Sequence, residues 1–200
     1  MGLRERKAEK TRKRISSEAL QLFKRRGYEQ TTMETIAEAA EVSASTLYRY
    51  FPSKDLILLE PMSGYLDFSA AISRRAADLP VEEALAEAVF AWAKWQDTNA
   101  EEILLVRSLI DQAPIPRARL WDIAYQKQRE LNAVLAKKLR LSANDLQVEL
   151  SARLLFTILG AVADRWRANP DKSSSVVHAK KVLKMFEEHK VLIPRKAPHR

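Results

Sequence analysis

The chain contains no cysteine. That excludes disulfide staples, thiolate zinc sites and a cysteine nucleophile. Glycine is scarce, with 4 in 200 residues, and no long alternation of β-branched residues occurs. Both absences point away from β-structure and toward an all-α fold. No uninterrupted run of 18 apolar residues is present, so no transmembrane helix is expected. The N-terminus is highly charged and lacks the apolar stretch of a secretory leader, which makes a soluble, cytoplasmic protein the expectation. Histidine is limited to His178, His189 and His199, all in the charged last quarter. No His-x-x-x-His pair, P-loop, glycine-rich cofactor loop or nucleophile elbow occurs. Catalytic residues, metal ligands and cofactors are therefore not expected, and an enzyme is not the expected class.

The chain has enough apolar residues for a core, 46% of the total, and a formal net charge of +8. The charge is uneven. Residues 1–54 hold 12 Lys/Arg against 7 Asp/Glu, residues 55–167 hold 14 against 16, and residues 168–200 hold 8 against 3. The basic excess thus lies at the two ends. At the front it is densest from Arg4 to Arg14, a run suited to tracking phosphates or entering a minor groove. In the tail, the same excess also suits a surface made basic for solubility alone.

The sharpest signal lies between Thr31 and Leu56, TTMETIAEAAEVSASTLYRYFPSKDL. Met33, Ile36, Ala37 and Ala40 form the apolar stripe of a short helix. Thr31 or Thr32 can cap it, and Thr31-x-x-Glu34 matches a capping box. Ser43 is a natural N-cap for a second helix from Ala44 to about Tyr50, which Pro52 ends. Leu47 and Phe51 can be buried, while Ser43, Ser45, Thr46, Tyr48, Arg49 and Tyr50 leave a face of hydroxyls and aromatics. No acid occurs between Val42 and Lys54. Such a face suits phosphates and base edges, although short αα units also occur with no nucleic acid to bind. Upstream, a helix over about Glu9–Arg26 buries Ile15, Ala19, Leu22 and Phe23 and stops at Gly27. Downstream, a helix from Lys54 to about Ala77 should bend or break near Glu60–Pro61.

The segment IAEAAEVSASTLYRYFPSKDLIL, with LFKRRGYEQTT before it, resembles the tetracycline-repressor (TetR) family of bacterial transcription regulators. The resemblance covers roughly Thr11 to Leu59. It implies an N-terminal three-helix helix-turn-helix DNA-binding domain and a C-terminal helical domain for ligand binding and dimerisation. The expected division is 1–53, 54–190 and a basic tail at 191–200. The partners implied are a double-stranded, palindromic DNA operator, a second copy of the chain and a small organic effector; no membrane is implied. Residue by residue it places Ala44, Ser45, Thr46 and Tyr48, after the Ser43 cap, toward the groove. It places Thr32, Tyr50 and Lys54 on phosphates. One position departs: Glu41 stands where the family usually has glycine in a left-handed conformation, so a slightly strained or reshaped turn is expected.

Further amphipathic segments cover Val81–Thr98, Ala100–Gln112, Arg117–Arg140, Leu146–Trp166 and Val176–Glu188. The fourth of these is apolar nearly all round, as suits either a central core helix or a dimer face. The dimer reading names Leu155, Leu159, Val162 and Trp166, with Val182 and Phe186 from the last helix, in a four-helix bundle with the second copy. An effector pocket would draw on Trp92, Trp95, Arg107, Trp121, Tyr125 and Phe156. The leading function is a ligand-released repressor. The alternative is a helical small-molecule-binding or interaction protein with weak or lost DNA binding.

Overall fold

The computed structural model describes residues 2–62, 68–75 and 78–192. Its regular elements are all helical. They are α1 (Leu3–Arg26), α2 (Met33–Ala39), α3 (Ala44–Tyr50), α4 (Lys54–Leu59), a 3-10 turn (Glu60–Met62) and α5 (Phe68–Arg75). These are followed by α6 (Val81–Thr98), α7 (Ala100–Gln112), α8 (Pro114–Leu139), α9 (Leu146–Ala168) and α10 (Ser175–Glu187). The all-α expectation holds. The expected helix end at Ala77 and residues 193–200 of the expected tail lie outside the described residues.

Two helix starts differ from the sequence expectation by three residues or more, and the expected break near Glu60–Pro61 is present, each for a local reason. α1 starts at Leu3 rather than Glu9, so most of the basic run is helical and not an extended arm. Arg, Lys, Glu and Ala are strong helix formers, and the Gly2 N–H donates to Glu5 Oε2 at 2.7 Å, securing the first turn. α4 stops at Leu59, because Pro61 brings no N–H and its ring crowds the carbonyl four residues back. The chain tightens there into the 3-10 turn that contains Pro61. α8 begins at Pro114 instead of Arg117, since a proline in a first helical turn gives up only a donor that would lack a partner anyway.

The chain divides into two compact units, one of residues 1–67 and 99–127, the other of 68–98 and 128–200. In the first, Ile15, Ala19 and Phe23 of α1, Ile36 of α2, Leu47 of α3, Phe51, and Ile57 and Leu58 of α4 are all at most 1% exposed. α1 ends at Gly27, whose φ of +82° and ψ of 160° fall in a region open essentially to glycine alone. In the second unit, the buried apolar residues include Val89, Trp92, Leu155, Leu159, Val162, Trp166, Ala179 and Val182. Asp97, at the end of α6, accepts from the backbone N–H groups of Ser175 (2.6 Å) and Val176 (3.2 Å). A carboxylate thereby satisfies two donors that the start of α10 leaves without intrahelical partners. By length and apolar content alone α9 could cross a bilayer. It instead places Val148, Ala152, Leu155, Leu159, Val162 and Trp166 inside its unit.

Candidate nucleic-acid interface

The candidate site is built on the turn between α2 and α3. Ala40 closes α2, and Glu41 follows with φ +50°. The Val42 N–H donates to the Ala37 carbonyl and the Glu41 N–H to the Glu38 carbonyl, both at 3.0 Å. This crossed pair is a Schellman motif, with Glu41 in the left-handed position where glycine is usual. The strained position expected at Glu41 is therefore present, and the turn closes despite its side chain. The cap of α2 falls one residue later than the capping-box match suggested. Thr32 Oγ1 accepts from the Thr35 N–H at 3.2 Å, and Thr35 Oγ1 accepts from the Thr32 N–H at 3.1 Å. Thr31 is buried and donates to the Gly27 carbonyl at 2.8 Å. A buried hydroxyl takes the nearest acceptor, and here that acceptor belongs to the preceding turn.

Ser43 caps α3 as expected, its Oγ accepting from the Thr46 N–H at 3.2 Å. The same oxygen donates to Thr46 Oγ1 at 2.9 Å and lies 3.0 Å from Ser45 Oγ. Three hydroxyls thus cluster at the first turn of α3. Ser43, Ala44, Ser45 and Tyr48 are exposed, and Tyr48 keeps 46% of its surface. On the opposite side Leu47 is fully buried, which fixes the rotation of α3 about its axis. Thr32 is exposed at the head of α2.

Two residues expected on phosphates also have partners within the protein. The Lys54 ammonium donates to the carbonyls of Tyr28 (2.8 Å), Thr31 (3.0 Å) and Glu29 (3.3 Å). It also sits 4.3 Å from the centroid of the Tyr28 ring. A lysine has three donors, and all three are occupied. Lys54 therefore braces the link between α1 and α2 against the start of α4. Tyr28, beneath it, has its hydroxyl pKa pushed up by burial, with Asp55 and Glu29 adding to the effect. Tyr50 is half-buried, and its carbonyl accepts from Arg12 Nη1 at 3.2 Å.

Arg12 is a structural residue that the sequence reading counted only as part of a basic run. Its Nε and Nη2 hold both oxygens of Glu60, at 2.5 and 2.6 Å, and its guanidinium lies 4.3 Å from the Phe51 ring centroid. It ties α1 to the end of α3 and to the 3-10 turn. Asp55 of α4 is buried and receives Arg119 Nε of α8 at 3.1 Å. Neither pairing has a signature in the sequence, because the partners are 48 and 64 positions apart.

The expected effector-pocket residues divide by unit. Arg107, Trp121 and Tyr125 belong to the first, and Trp92, Trp95 and Phe156 to the second. Trp121 and Tyr125 are not inward: they are 73% and 60% exposed, whereas Leu131 and Leu135, further along α8, are buried as the helix pattern predicts. Trp92 is buried, Trp95 is half-buried, and Phe156 meets Phe68 edge to face at 5.6 Å.

The residues named for the dimer face also need correction. Leu155, Leu159, Val162, Trp166 and Val182 are at most 7% exposed, and Phe186 is half-buried. Their side chains are already taken up within the unit, so they have little surface left for a second copy. The exposed apolar stripe of α9 is Leu146, Leu150 and Leu154, which lies on the side of the helix opposite Leu155 and Val162.

Comparison with known proteins agrees with this geometry. The profile of "Bacterial regulatory proteins, tetR family" matches residues 15–60. The HTH-type transcriptional regulator TcmR of Streptomyces glaucescens is 48% identical over 77 residues, 38% of this chain and 34% of that protein. The HTH-type transcriptional repressor KstR of Mycolicibacterium smegmatis is 41% identical over 66 residues, 33% of this chain and 32% of that protein. The chain thus matches about a third of the length of these curated relatives. Over a longer span it is similar to the TetR-family repressor FadR of Thermus thermophilus, solved with lauroyl-CoA. That similarity has a TM-score of 0.60 at 26% identity and covers 94% of this chain and all of that one (100%). Residues 15–60, which hold the helix-turn-helix, thus match the tetR family of bacterial regulatory proteins, and the fold over most of the chain is similar to that of a TetR-family repressor.

Proposed function

We propose that the protein is a ligand-responsive transcriptional regulator, a repressor that binds a palindromic DNA operator as a homodimer in the cytoplasm. A small organic effector releases it. The observation that carries this reading is the exposed face of α3. It is short, free of acids, rich in hydroxyls, and capped by Ser43 directly after a closed turn. Ser43, Ala44, Ser45, Thr46 and Tyr48 enter the major groove, and Thr32 meets the backbone. The cluster of three hydroxyls can redirect its donors and acceptors to phosphates or base edges at little cost, since each hydroxyl both donates and accepts. Ala44 and Ser45 are small, so DNA shape contributes to selectivity beside direct contacts.

The stripe Leu146, Leu150 and Leu154 supports the homodimer, which sets two α3 helices on half-sites about one helical turn, ~34 Å, apart. For the effector, the buried Trp92 and the Phe68–Phe156 pair supply an apolar, aromatic lining within the second unit. The likeness to a FadR solved with lauroyl-CoA makes acyl-CoA thioesters the first compounds to test. No step of catalysis is assigned.

The test is capture of genomic fragments by the purified protein, followed by gel-shift titration of the enriched site with and without lauroyl-CoA. Enrichment of a palindrome, with weaker binding when an effector is added, is the expected result. Binding no stronger to the enriched site than to scrambled DNA would remove the regulatory reading.

A further inference from the structure

We propose that the first unit holds a second small-molecule site, for a small, neutral and mainly apolar compound, at the root of the recognition helix α3. A cavity of about 370 Å³ lies there. This is within the ~300–1,000 Å³ typical of small-molecule pockets, at the small end. Its walls are mainly apolar. Phe51, Leu56, Leu59 and Met62 line one side, and Leu120 and Ile123 of α8 line another. Leu56, Leu120 and Ile123 are only half-buried, so an occupant would remove further apolar surface from water.

The polar groups at the rim select against charge. Arg12 and Glu60 also line the cavity, but they are bound to each other in two-pronged fashion and cancel. Lys127 also lines the cavity and has an interaction of its own. An anionic ligand would lose its hydration and meet the Glu60 carboxylate in the same wall. A neutral acceptor fares better. Arg12 spends three of its five N–H donors on Glu60 and the Tyr50 carbonyl, leaving two for a ligand oxygen. The class that fits is a small, neutral, mainly apolar molecule with a carbonyl or hydroxyl acceptor.

The site is separate from the effector pocket proposed above, and its test requires neither an operator nor an effector. It can fail while the regulator reading stands, and the reverse also holds. Coumarin, a neutral two-ring lactone, is the probe, and coumarin-3-carboxylate is its anionic counterpart. Titration of the full chain is followed by amide NMR. Coumarin is expected to bind saturably at millimolar concentrations and shift the amides of Tyr50, Phe51, Leu59 and Ile123. The carboxylate should bind several-fold more weakly. Leu120→Trp, which fills the cavity from α8, should weaken coumarin at least tenfold. Ile123→Trp, from nearly one turn further along α8, makes the same test should Leu120→Trp fail to fold. Absence of saturable binding would overturn the proposal, as would equal binding by the cavity-filling variant or a preference for the carboxylate.

Discussion

Helices α3 and α9 each bury one face and leave the other in water, yet the two exposed faces are chemical opposites. α3 exposes Ala44, Ser45 and Tyr48 and buries Leu47 completely. α9 exposes Leu146, Leu150 and Leu154, at 68%, 54% and 43%, while Leu155, Leu159 and Val162 stay inside. Hydroxyls cost nothing in water, so a polar face can remain free until a polyanion arrives. Three leucines on one stripe lose roughly 1.5–3 kcal/mol each by staying wet, which favours a permanent apolar partner. On the function proposed above, the contrast separates a surface for reversible recognition from one for assembly.

The strongest break of that contrast reverses the chemistry of α9. Leu150→Glu with Leu154→Glu puts two carboxylates where the proposed dimer has no partner for them, and an unpaired buried charge costs roughly 3–5 kcal/mol. Sedimentation velocity should then report a monomer, and operator affinity should fall at least a hundredfold. Circular dichroism should be unchanged, because neither side chain is in the core. Leu155→Ala is the counter-experiment. It should cost ~2–5 kcal/mol in urea unfolding and leave the folded molecules dimeric. A double glutamate variant that stays dimeric would place the assembly surface elsewhere.

The next comparison lies within the first unit, between Tyr48 and Lys54. Both were named from the sequence as DNA contacts, and the structure gives them different work. Tyr48→Ala removes an exposed side chain. It should lower operator affinity by about 1–3 kcal/mol and leave the melting temperature unchanged. Lys54→Met removes donors from three carbonyls at 2.8–3.3 Å. It should lower stability by about 1–3 kcal/mol, the range for hydrogen bonds to a charged group. Equal loss of stability in both variants would erase the distinction.

That pair also shows where sequence reading succeeds and where it stops. Periodicity and capping residues are local, and they fixed α3, α6 and α7 at the bounds observed. The missing N–H of Pro61 located the break there, and the family resemblance, not spacing, pointed to the strained position of Glu41. The roles of Lys54, Arg12 and Arg119 depend on partners 23 to 64 positions away, which no spacing rule reaches. For α9 the limit differs. A helix that is apolar all round says that both faces meet something, but not which face the protein itself supplies. The reading chose Leu155, Leu159 and Val162, and these proved to be the inner face. On α8 the same pattern points Trp121, Leu131 and Leu135 inward; Leu131 and Leu135 are buried, while Trp121 and Tyr125, the two aromatics expected in the pocket, are exposed.

A smaller effect distinguishes the second unit by pH. Both ring nitrogens of His178 are shielded and hydrogen-bond to nothing among the described residues. Burial lowers its pKa below the usual 6.5, Lys181 and Arg165 lower it further, and Asp97 opposes them. With the folded value depressed, the unfolded chain binds the extra proton first. Stability should therefore be fully present above about pH 6.5 and decline as the solution is acidified below it. His178→Phe should flatten that acid limb in urea titrations. An unchanged limb would mean that the imidazole takes up its proton in the folded state without strain.

The smallest expected effect compares one motif in both units. Glu41 and Arg140 are both non-glycine residues at positive φ, +50° and +57°. Each follows a helix closed by the same crossed bonds, from Val42 to Ala37 in one case and Leu141 to Ala136 in the other. Replacing either by glycine relieves a left-handed conformation that costs ~1–2 kcal/mol. The added freedom of the unfolded chain offsets roughly 0.4–1 kcal/mol of that. A net gain of a few tenths to 1 kcal/mol is expected from Glu41→Gly and from Arg140→Gly alike. Operator binding should separate them. Arg140 ends α8 within the second unit, so its replacement should leave DNA affinity unchanged. Glu41 lies in the turn before α3, and its exposed carboxylate stands 3.9 Å from Arg14. Glu41→Gly removes a negative charge beside the proposed phosphate track. It should raise affinity modestly at low salt, with the gain fading as ions screen the backbone. Gel-shift titrations at two salt concentrations decide this. Equal affinities for both variants at both concentrations would show that the Glu41 carboxylate stands clear of the DNA.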